Sequence, residues 1–359
     1  MVGMLNVIYL PFKMLKTQNK ITYLSRQSNT PSIDFKLLVG QVEKIDDSIK
    51  QIVMCKKIPN GILGKIKYCL HMLSQMYHIA TSKVVVVDTY VIAVSVLKHK
   101  KSLKVIQIWH ALGAIKKFGY QVLGKAEGSS KVVAESMRMH KNYDIVTCAS
   151  NATAVFYSEA FGIALDKIKI VGMPRVDDIL SEDKNKEILE LNPEYKNKKT
   201  ILYIPTFRKD ETVNVEGLIE NCDYEKYNLI IRLHPLDNTK VEDKYLVKGD
   251  FTTYDLMKFA DYIITDYSAT AIEASILDKP LYLYVYDMDK YMDTRGLNVN
   301  LTEELSNNTS KSAKEILQKI VEDTCDLGQL RSFKKKYVET YNINNTESVV
   351  DTILESFGK

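Results

Sequence analysis

Two histidines of the chain each follow a short apolar run and precede a turn. His110 lies in QIWHALGAIKKFGY, beside the only tryptophan, and His234 lies in LIIRLHP, where Pro235 stops the run. An imidazole at the end of a buried strand serves as an acid or base near neutral pH, or as a phosphate ligand. Each histidine by itself also fits an ordinary position before a turn.

The stretch DYIITDYSATAIEASILDKP combines a buried strand with the start of a helix. We expect the strand to end at Asp266 and a helix to open with Ser268, Ala269 and Thr270. The first N–H groups of a helix have no partner inside it, and small or hydroxylated residues there suit a phosphate or pyrophosphate. One turn further on, Glu273 is placed to bind a ribose diol. The alternative is a helix cap with a carboxylate that complements the helix dipole.

Further polar residues follow other apolar runs. In YIPTFRKD, Thr206 and Arg208 come just after a strand, where a guanidinium binds phosphate oxygens bidentately. Arg295 is another candidate phosphate ligand, although the same evidence favours an ordinary loop arginine. Asp287 and Asp289 have the Asp-x-Asp spacing of a metal-binding motif, but no second metal-like group lies nearby in the sequence. We therefore predict neither a metal nor a cofactor.

The segments that must position these residues alternate between strand and helix patterns. Continuous apolarity marks strands buried on both faces of a parallel sheet. Residues 61–80 have apolar side chains at three-to-four spacing, which predicts an amphipathic helix, and closing helices are expected near 312–322, 333–341 and 346–357. The fold class is therefore α/β, with ligands at the carboxyl ends of the strands. The predicted strands are KITYLSR (20–26), FKLLVG (35–40), KVVVVD (83–88), KVIQIW (104–109), YDIVTCAS (143–150), KTILYIPTF (199–207), YNLIIRLHP (227–235), DYIITDYS (261–268) and KPLYLYVYD (279–287).

Length and charge divide the chain into two parts. A chain of 359 residues exceeds what one hydrophobic core usually fills, and Gly172 and Pro174 interrupt the pattern near its middle. We place the boundary there, giving two doubly wound domains, 1–174 and 175–359, with a cleft between them and a last helix that can pack back on the first. Residues 1–172 carry a net charge of +14 and the remainder −10. The first part is therefore expected to face an anionic partner, which is a membrane surface, a phosphorylated polymer or nucleic acid, unless it is simply a solvated basic surface.

Other features exclude several classes of protein. The five cysteines form no C-x-x-C pair, which argues against a zinc site or a disulfide framework and fits a reducing cytosol. No apolar run approaches the roughly 20 residues that span a bilayer, and no cleavage site follows the opening stretch. No helix-turn-helix, zinc-finger or RRM-type signature supports a nucleic-acid partner. We expect a protein that is neither secreted nor membrane-spanning.

Six motifs follow one another along the chain: QIWHALGAIKKFG, GMPRVDDIL, YIPTFR, RLHP, TDYSATAIEA-x-x-LDKPLYLYVYD and RGL. In this order they resemble the CDP-glycerol glycerophosphotransferase family, which makes teichoic acids and related polymers. The opening KITYLSRQSNTPSIDFKLL is similar to the start of that family, so the resemblance covers nearly the whole chain. It implies a GT-B architecture of two Rossmann-like domains. The first would bind the acceptor and associate with the cytoplasmic face of the membrane, and the second would bind the CDP-alcohol.

The resemblance also implies a role for each matching residue. Trp109-His110 matches the family's tryptophan-histidine motif, whose histidine is the proposed general base. His234 matches the histidine of its histidine-proline motif, a donor-phosphate ligand or acid. Ala111 and Ala269 depart from the family pattern, since many members have Gly and a second Ser there. The other matches lie in the donor-binding motif: Asp266, Tyr267 and Ser268 in its Asp-Tyr-Ser core, Ala269 and Thr270 in the continuation, and Glu273 as the ribose-binding residue.

The reaction implied is transfer of a glycerol-phosphate or ribitol-phosphate unit from a CDP-alcohol to a hydroxyl of a polyprenyl-diphosphate-linked glycan or a growing teichoic acid or capsule chain, with release of CMP. Phosphoryl transfer depends on positioning and electrostatics, so no covalent nucleophile is required. Lys116 and Lys117 follow His110 and are expected on the side of the acceptor and the membrane. Two alternatives stay open: a GT-B glycosyltransferase that uses a nucleotide sugar, and a non-catalytic, membrane-recruited nucleotide-binding module. The sequence does not distinguish glycerol from ribitol, primase from polymerase, the acceptor, or the oligomeric state.

Overall fold

The structure, a computed structural model, describes residues 2–125, 128–208, 212–289 and 296–358, the side chain of Lys65 excepted. The chain forms two compact units, each described by itself below. Compared with the bounds expected from the sequence, residues 175–177 and 339–359 fall in the first unit and residues 113–116 in the second. The first unit comprises Met1–Leu112, Lys117–Asp177 and Glu339–Lys359, and the second comprises Gly113–Lys116 and Asp178–Val338.

The strands form two parallel sheets, one in each unit. They are β1 (Lys20–Ser25), β2 (Lys50–Cys55), β3 (Val84–Val87), β4 (Lys104–Gln107), β5 (Ile145–Cys148), β6 (Ile168–Ile170), β7 (Lys199–Tyr203), β8 (Tyr227–Ile231), β9 (Tyr262–Thr265), β10 (Leu281–Tyr284) and β11 (Thr309–Ser310). The orders are β2-β1-β3-β4-β5-β6 in the first unit and β11-β10-β9-β7-β8 in the second. All the strands are parallel, but the order in which they are added to the sheet reverses between β1 and β3 in the first unit and between β7 and β9 in the second. Ligands bind at the carboxyl ends of the strands beside such switch points.

Helices connect the strands and, in the described residues, cover the faces of both sheets. They are α1 (Val2–Met14), α2 (Ile33–Ile45), α3 (Ile62–Thr81), α4 (Ile92–Val96), α5 (Lys131–Ser136), α6 (Asn151–Phe161), α7 (Arg175–Leu180), α8 (Asn185–Leu191), α9 (Glu216–Asn221), α10 (Thr253–Phe259), α11 (Thr270–Ser275), α12 (Leu301–Glu304), α13 (Ala313–Val321), α14 (Leu327–Tyr337) and α15 (Asn345–Phe357). Both sheet cores are rich in aliphatic side chains, and the core of the second unit is also rich in tyrosines. This double covering explains why the strands read as continuous apolar runs.

One of the predicted strands is wrong. The run FKLLVG lies inside α2, whereas the other predicted strands are all present. Ser32 caps α2 by accepting a hydrogen bond from the N–H of Phe35 at 3.3 Å. Phe35, Leu38 and Val42 are fully buried at helical spacing. A short apolar run has no clear period, so the cap upstream of it was the better signal.

The closing helix α15 packs in the core of the first unit. Val350 and Ile353 lie in the same cluster as Ile21 of β1. At the start of α15, the side chain of Asn345 accepts a hydrogen bond from the N–H of Met173 at 3.2 Å. Gly172 has a φ of +85°, and a Cβ there would lie 1.6 Å from Asn345 Oδ1. Glycine is therefore required where the chain passes under this helix.

The helix predicted over residues 61–80 is confirmed as α3, but much of its apolar side is exposed. Leu63 and Leu70 are 77% and 65% exposed. Helix α1 packs on α3 through Phe12 and Tyr77, whose ring centroids are 6.4 Å apart, and it also exposes apolar side chains. Large apolar side chains exposed in such number on two packed helices are uncommon in a soluble monomer. We call this patch the α1–α3 apolar surface: Met4, Val7, Ile8, Leu10, Met14, Ile62, Leu63, Ile66, Leu70 and Leu73.

Length and apolarity together decide whether a helix can cross a bilayer. Within the part of the chain that the structure describes, no helix has both the length and the apolarity that crossing a bilayer demands.

Candidate functional site

His110 follows β4 at the carboxyl end of the first sheet. Its Nδ1 lies 2.9 Å from the main-chain carbonyl oxygen of Asp88, which directly follows β3. A carbonyl oxygen only accepts, so Nδ1 carries the proton of the neutral ring and the lone pair is on Nε2. This is the tautomer that a general base requires. The role of His110 as a base stays a prediction.

A strained turn at Trp109 places this histidine. Trp109 has a φ of +58°, a conformation that bulky residues rarely adopt. Its main-chain N–H donates to Gln107 Oε1 at 2.9 Å, and Gln107 Nε2 donates to the main-chain carbonyl of Thr89 at 3.1 Å. The indole ring stacks on Phe118, with centroids 4.6 Å apart. The tryptophan therefore anchors a sharp turn that brings His110 beside the end of the neighbouring strand.

Asp88 is a buried acid that the sequence reasoning missed. Its side chain is 1% exposed, and neither carboxylate oxygen meets a donor with good hydrogen-bond geometry among the described residues, although the hydroxyls of Ser25 and Thr89 lie near enough to oppose part of the effect of burial. Burial raises the pKa of Asp88 to about 7. The available signal was a carboxylate directly after the run VVVV, at the switch point of a parallel sheet.

We expect Asp88→Asn to stabilise the protein more at about pH 8 than at about pH 5. The unfolded chain ionises Asp88 near 3.8, whereas the folded protein keeps the proton until about 7. Wild-type stability therefore falls as pH rises between these values, and the asparagine variant escapes that loss. The difference in free energy of unfolding should grow by about 2 to 3 kcal/mol over this range and level off above about pH 7. Urea unfolding at several pH values measures it, and a difference that is constant with pH would contradict the assignment.

Arg208 lies at the carboxyl end of the second sheet, beside two carboxylates. Its Nε and Nη2 donate to Asp287 at 2.6 and 3.0 Å, and Nη2 also donates to Asp266 at 3.1 Å. Burial lowers the pKa of Arg208. The hydrogen bond to Asp287 and the charge of Asp266 raise it by more than burial lowers it, so the net shift is upward. The bidentate fork expected to hold phosphate is occupied by Asp287 in this structure. Phosphate binding by Arg208 stays a prediction, and it would require Asp287 to be displaced.

Asp266 joins the loop after β7 to the loop after β9. Its side chain is completely buried and accepts from the N–H of Thr206 at 2.9 Å and from Thr206 Oγ1 at 2.6 Å. Tyr267 donates its hydroxyl proton to Asp287. In this structure, Thr206 and Asp266 therefore hold the switch-point loops in place, and their predicted contact with a donor phosphate stays untested.

The helix predicted to open at Ser268 begins at Thr270. Ser268 Oγ accepts from the N–H of Thr270 at 3.2 Å and donates to Thr270 Oγ1 at 3.0 Å. Ala269 lies between them with helical backbone angles and makes no side-chain cap. The first N–H of α11 is thus bound within the loop, so a phosphate would have to compete with Ser268 for it.

Glu273 lies in α11 and is nearly buried. Its Oε1 accepts from the hydroxyl of Tyr254 at 2.9 Å. Tyr254 lies in α10, and no motif in the sequence pointed to it. The predicted contact of Glu273 with a ribose stays a prediction, and Tyr254 fixes the orientation of this carboxylate.

His234 is exposed and lies in the turn after β8. The N–H of Leu236 donates to His234 Nδ1 at 3.2 Å, so Nδ1 accepts and the proton of the neutral ring is on Nε2. The ring packs near Phe207, with centroids 5.3 Å apart. This tautomer is the opposite of that of His110, and it presents a donor at Nε2. A donor suits a phosphate ligand or an acid, the two roles predicted for His234.

The remaining predicted residues are not gathered at these strand ends. Lys116 and Lys117 are half-buried, and the main chain of Lys116 pairs with Leu297 in an antiparallel bridge of the second unit. Their acceptor-side role stays a prediction. Arg295 lies outside the described residues.

No metal-like constellation is found in the described ranges, where no group of three or more His, Cys, Asp and Glu residues could hold an ion. Asp287 pairs with Arg208, and Asp289 pairs with Lys311 at 2.6 Å. The two acids of the Asp-x-Asp spacing are thus bound to separate cations. Metal independence of the reaction stays a prediction.

Two Rossmann-like units, each with polar residues at the carboxyl ends of a parallel sheet, define a GT-B protein. The wall teichoic acid polymerase TagF shares this fold: its structure superposes with a TM-score of 0.74 at 18% identity, covering 99% of this chain and 94% of that chain. A TagF structure soaked with CDPG has a TM-score of 0.74 at 17% identity, with the same coverage of both chains. The predicted fold class is therefore confirmed.

The chain belongs to the family of CDP-Glycerol:Poly(glycerophosphate) glycerophosphotransferases, which it matches over residues 7–355. It is 30% identical to the teichoic acid ribitol-phosphate primase of Bacillus spizizenii strain W23, covering 93% of this chain and 90% of that protein. It is 28% identical to the teichoic acid glycerol-phosphate primase of Bacillus subtilis strain 168, covering 97% and 95%. The resemblance carried by the six motifs is confirmed. The protein is a transferase of polyol-phosphate units in teichoic acid synthesis for the cell wall.

Proposed function

We propose that this transferase moves a glycerol-phosphate or ribitol-phosphate unit from a CDP-alcohol to a polyprenyl-diphosphate-linked glycan or a growing chain, and releases CMP. The observation that carries this proposal is the hydrogen bond from His110 to the Asp88 carbonyl, which leaves the lone pair on Nε2. The similarity to both a ribitol-phosphate and a glycerol-phosphate primase keeps both donors as candidates.

The proposed reaction is a single displacement at phosphorus. His110 Nε2 takes the proton of the acceptor hydroxyl, whose oxygen forms a bond to the phosphorus that bears the alcohol. The bond from that phosphorus to the bridging oxygen breaks, and CMP leaves with the electron pair. His234 donates from Nε2–H to the departing phosphate. Such donors stabilise the charge that develops in the transition state.

The second unit is proposed to hold the donor nucleotide. Glu273, oriented by Tyr254, is suited to accept hydrogen bonds from the ribose hydroxyls. Ser268 and Thr270 offer hydroxyl groups to the diphosphate at the adjacent loop, at the switch point of the sheet.

Release of CMP tests the proposal directly. The purified protein is incubated with CDP-glycerol or CDP-ribitol, with and without a prenyl-diphosphate disaccharide acceptor. We expect acceptor-dependent CMP release with one of the two donors, together with a new phosphodiester. Release of a nucleoside diphosphate from a nucleotide sugar would instead identify a glycosyltransferase. Donor binding without release under any acceptor would favour the non-catalytic module.

We also propose that the protein associates peripherally with the cytoplasmic face of the cell membrane. The α1–α3 apolar surface supports this, as does the net charge of +14 over residues 1–172. Exposed apolar side chains and lysines together favour an anionic bilayer surface.

The double variant Leu63→Glu/Leu70→Glu should bind vesicles of phosphatidylglycerol at least about tenfold more weakly than wild type, because it loses apolar area and adds repulsion. The matched control is Val155→Glu/Leu165→Glu, which changes two apolar residues outside the surface that are 47% and 54% exposed. Vesicle co-sedimentation measures both. Equal losses in the two variants would refute the location of the surface.

A further inference from the structure

A basic cavity lies in the first unit, at the amino ends of β4 and β5. Its volume is about 510 Å³, and Leu103 and Asp144, which precede these strands, are part of its wall. Its wall carries the basic residues Lys100, Lys101, Lys141 and Lys167, and an adjoining cavity of about 410 Å³ shares Lys141 and adds Arg138 and the acid Glu135. His110 follows β4 at the opposite end of the strand, so the cavity lysines lie at the other edge of the sheet, while the wall residue His140 reaches the ring of Trp109, with centroids 6.0 Å apart.

The positive charge of this basic cavity is not balanced by ion pairs. Asp144 uses its Oδ2 to accept from the N–H of Val105 at 2.8 Å. None of the ion pairs identified among the described residues includes any of the four lysines. Burial and the nearby charge of Lys13 lower the pKa of Lys100. An anion that entered here would relieve repulsion between like charges.

The backbone on one side of the basic cavity has an unusual conformation. Arg138, His140 and Asn142 have φ values of +49°, +57° and +71°. Non-glycine residues seldom adopt this left-handed conformation, and three at alternate positions are rarer still. The N–H groups of Arg138, Met139 and Lys141 donate to main-chain carbonyls of the same segment, so this turn positions Lys141 in the cavity wall and does not itself offer N–H groups to an anion.

The basic cavity lies beside the C-terminal end of α1, one of the two helices of the α1–α3 apolar surface. Asn6 of α1 donates from its side chain to the carbonyl of Val96 at 3.0 Å and accepts from the N–H of Lys98 at 2.7 Å. Lys100 Nζ donates to the carbonyl of Leu15, just beyond α1, at 2.6 Å. The segment that carries Lys100 and Lys101, two of the four cavity lysines, is therefore held against the helix that carries half of the apolar surface.

We propose that the basic cavity binds the phosphate of an anionic lipid headgroup while the α1–α3 apolar surface contacts the acyl region. This inference rests on the proposed peripheral association with the membrane. The lysines neutralise the phosphodiester of the headgroup, and the adjacent apolar side chains bury the start of the chains. A headgroup bound in this way fixes the orientation of the first unit relative to the bilayer. Contact through the apolar surface alone would not fix that orientation.

The test compares two triple variants that each remove three exposed lysines. Lys101→Gln/Lys141→Gln/Lys167→Gln alters the cavity, and Lys36→Gln/Lys44→Gln/Lys57→Gln is the control of equal charge change in the same unit. Both are assayed with phosphatidylglycerol vesicles, with phosphatidylcholine vesicles and with a soluble glycerol-phosphate oligomer. We expect the cavity variant to bind phosphatidylglycerol vesicles at least about tenfold more weakly than the control variant, and to bind the oligomer as the control does.

Equal vesicle binding by the two variants would overturn the proposal. So would a selective loss of oligomer binding, which would assign the cavity to chain phosphates rather than to headgroups. If wild type does not distinguish phosphatidylglycerol from phosphatidylcholine, the membrane association fails together with the cavity assignment. CMP release with a water-soluble acceptor, which the cavity variant should retain, reports on the transfer reaction independently.

Discussion

His110→Ala lowers kcat by a factor of about 100 to 10,000, the usual contribution of a general base, while the Kd for the CDP-alcohol stays within about twofold. The substitution removes the Nε2 lone pair that the hydrogen bond to the Asp88 carbonyl sets in place. It leaves the second unit, with its candidate nucleotide-binding residues, unchanged. Steady-state CMP release gives kcat, and equilibrium titration gives the donor Kd.

Two companion variants separate the roles in this experiment. Glu273→Gln should weaken donor binding, because it replaces a carboxylate that is proposed to accept from the ribose hydroxyls. His71→Gln, in α3, controls for loss of an imidazole outside the strand ends and should behave as wild type. Full turnover in His110→Ala would contradict the assignment of His110 as the general base. A donor Kd raised by that variant would instead indicate that His110 contacts the donor.

The second large effect is expected at Asp266. Asp266→Ala should lower the free energy of unfolding by about 3 kcal/mol, because it leaves two donors of Thr206 and part of the Arg208 charge buried without their acceptor. Donor binding should fall with it, since the switch-point loops lose their connection. Urea denaturation, followed by circular dichroism, measures the change.

Asp289→Ala is the matched control for this prediction. Asp289 is likewise paired with a cation, Lys311, but both side chains are more than half exposed. An exposed ion pair contributes at most about 1 kcal/mol. If the two variants lost the same stability, the buried Asp266 network would not be the structural connection described above.

The sequence alone placed most of the candidate residues correctly at strand ends. Parallel strands buried on both faces leave long apolar runs, and the polar residue that follows each run must lie at the same edge of its sheet. His110, His234 and Asp266 were found in this way. The failure at FKLLVG has the same origin, because a short apolar run fits a buried strand and a buried helix equally well.

Only the tertiary structure decided what these residues contact. Arg208 and Asp287 are 79 residues apart in the chain, and no local sequence pattern predicts that Asp287 neutralises the charge of Arg208. The exposure of Leu63 on α3 could not be foreseen either, because an apolar helix face looks the same whether it meets a core or faces outward.

The amino-acid sequence by itself determined the α/β class, the family and the position of two histidines after buried strands, because these depend on residue types and on their order along the chain. The tertiary structure decided the proton positions on the two rings, the burial of Asp88 and the fastening of the basic cavity to α1. Each of these depends on a hydrogen bond or a desolvated group whose partners come from distant segments or from a particular turn. Such contacts exist only after the sheets have formed, because the sheets fix which strand ends become neighbours.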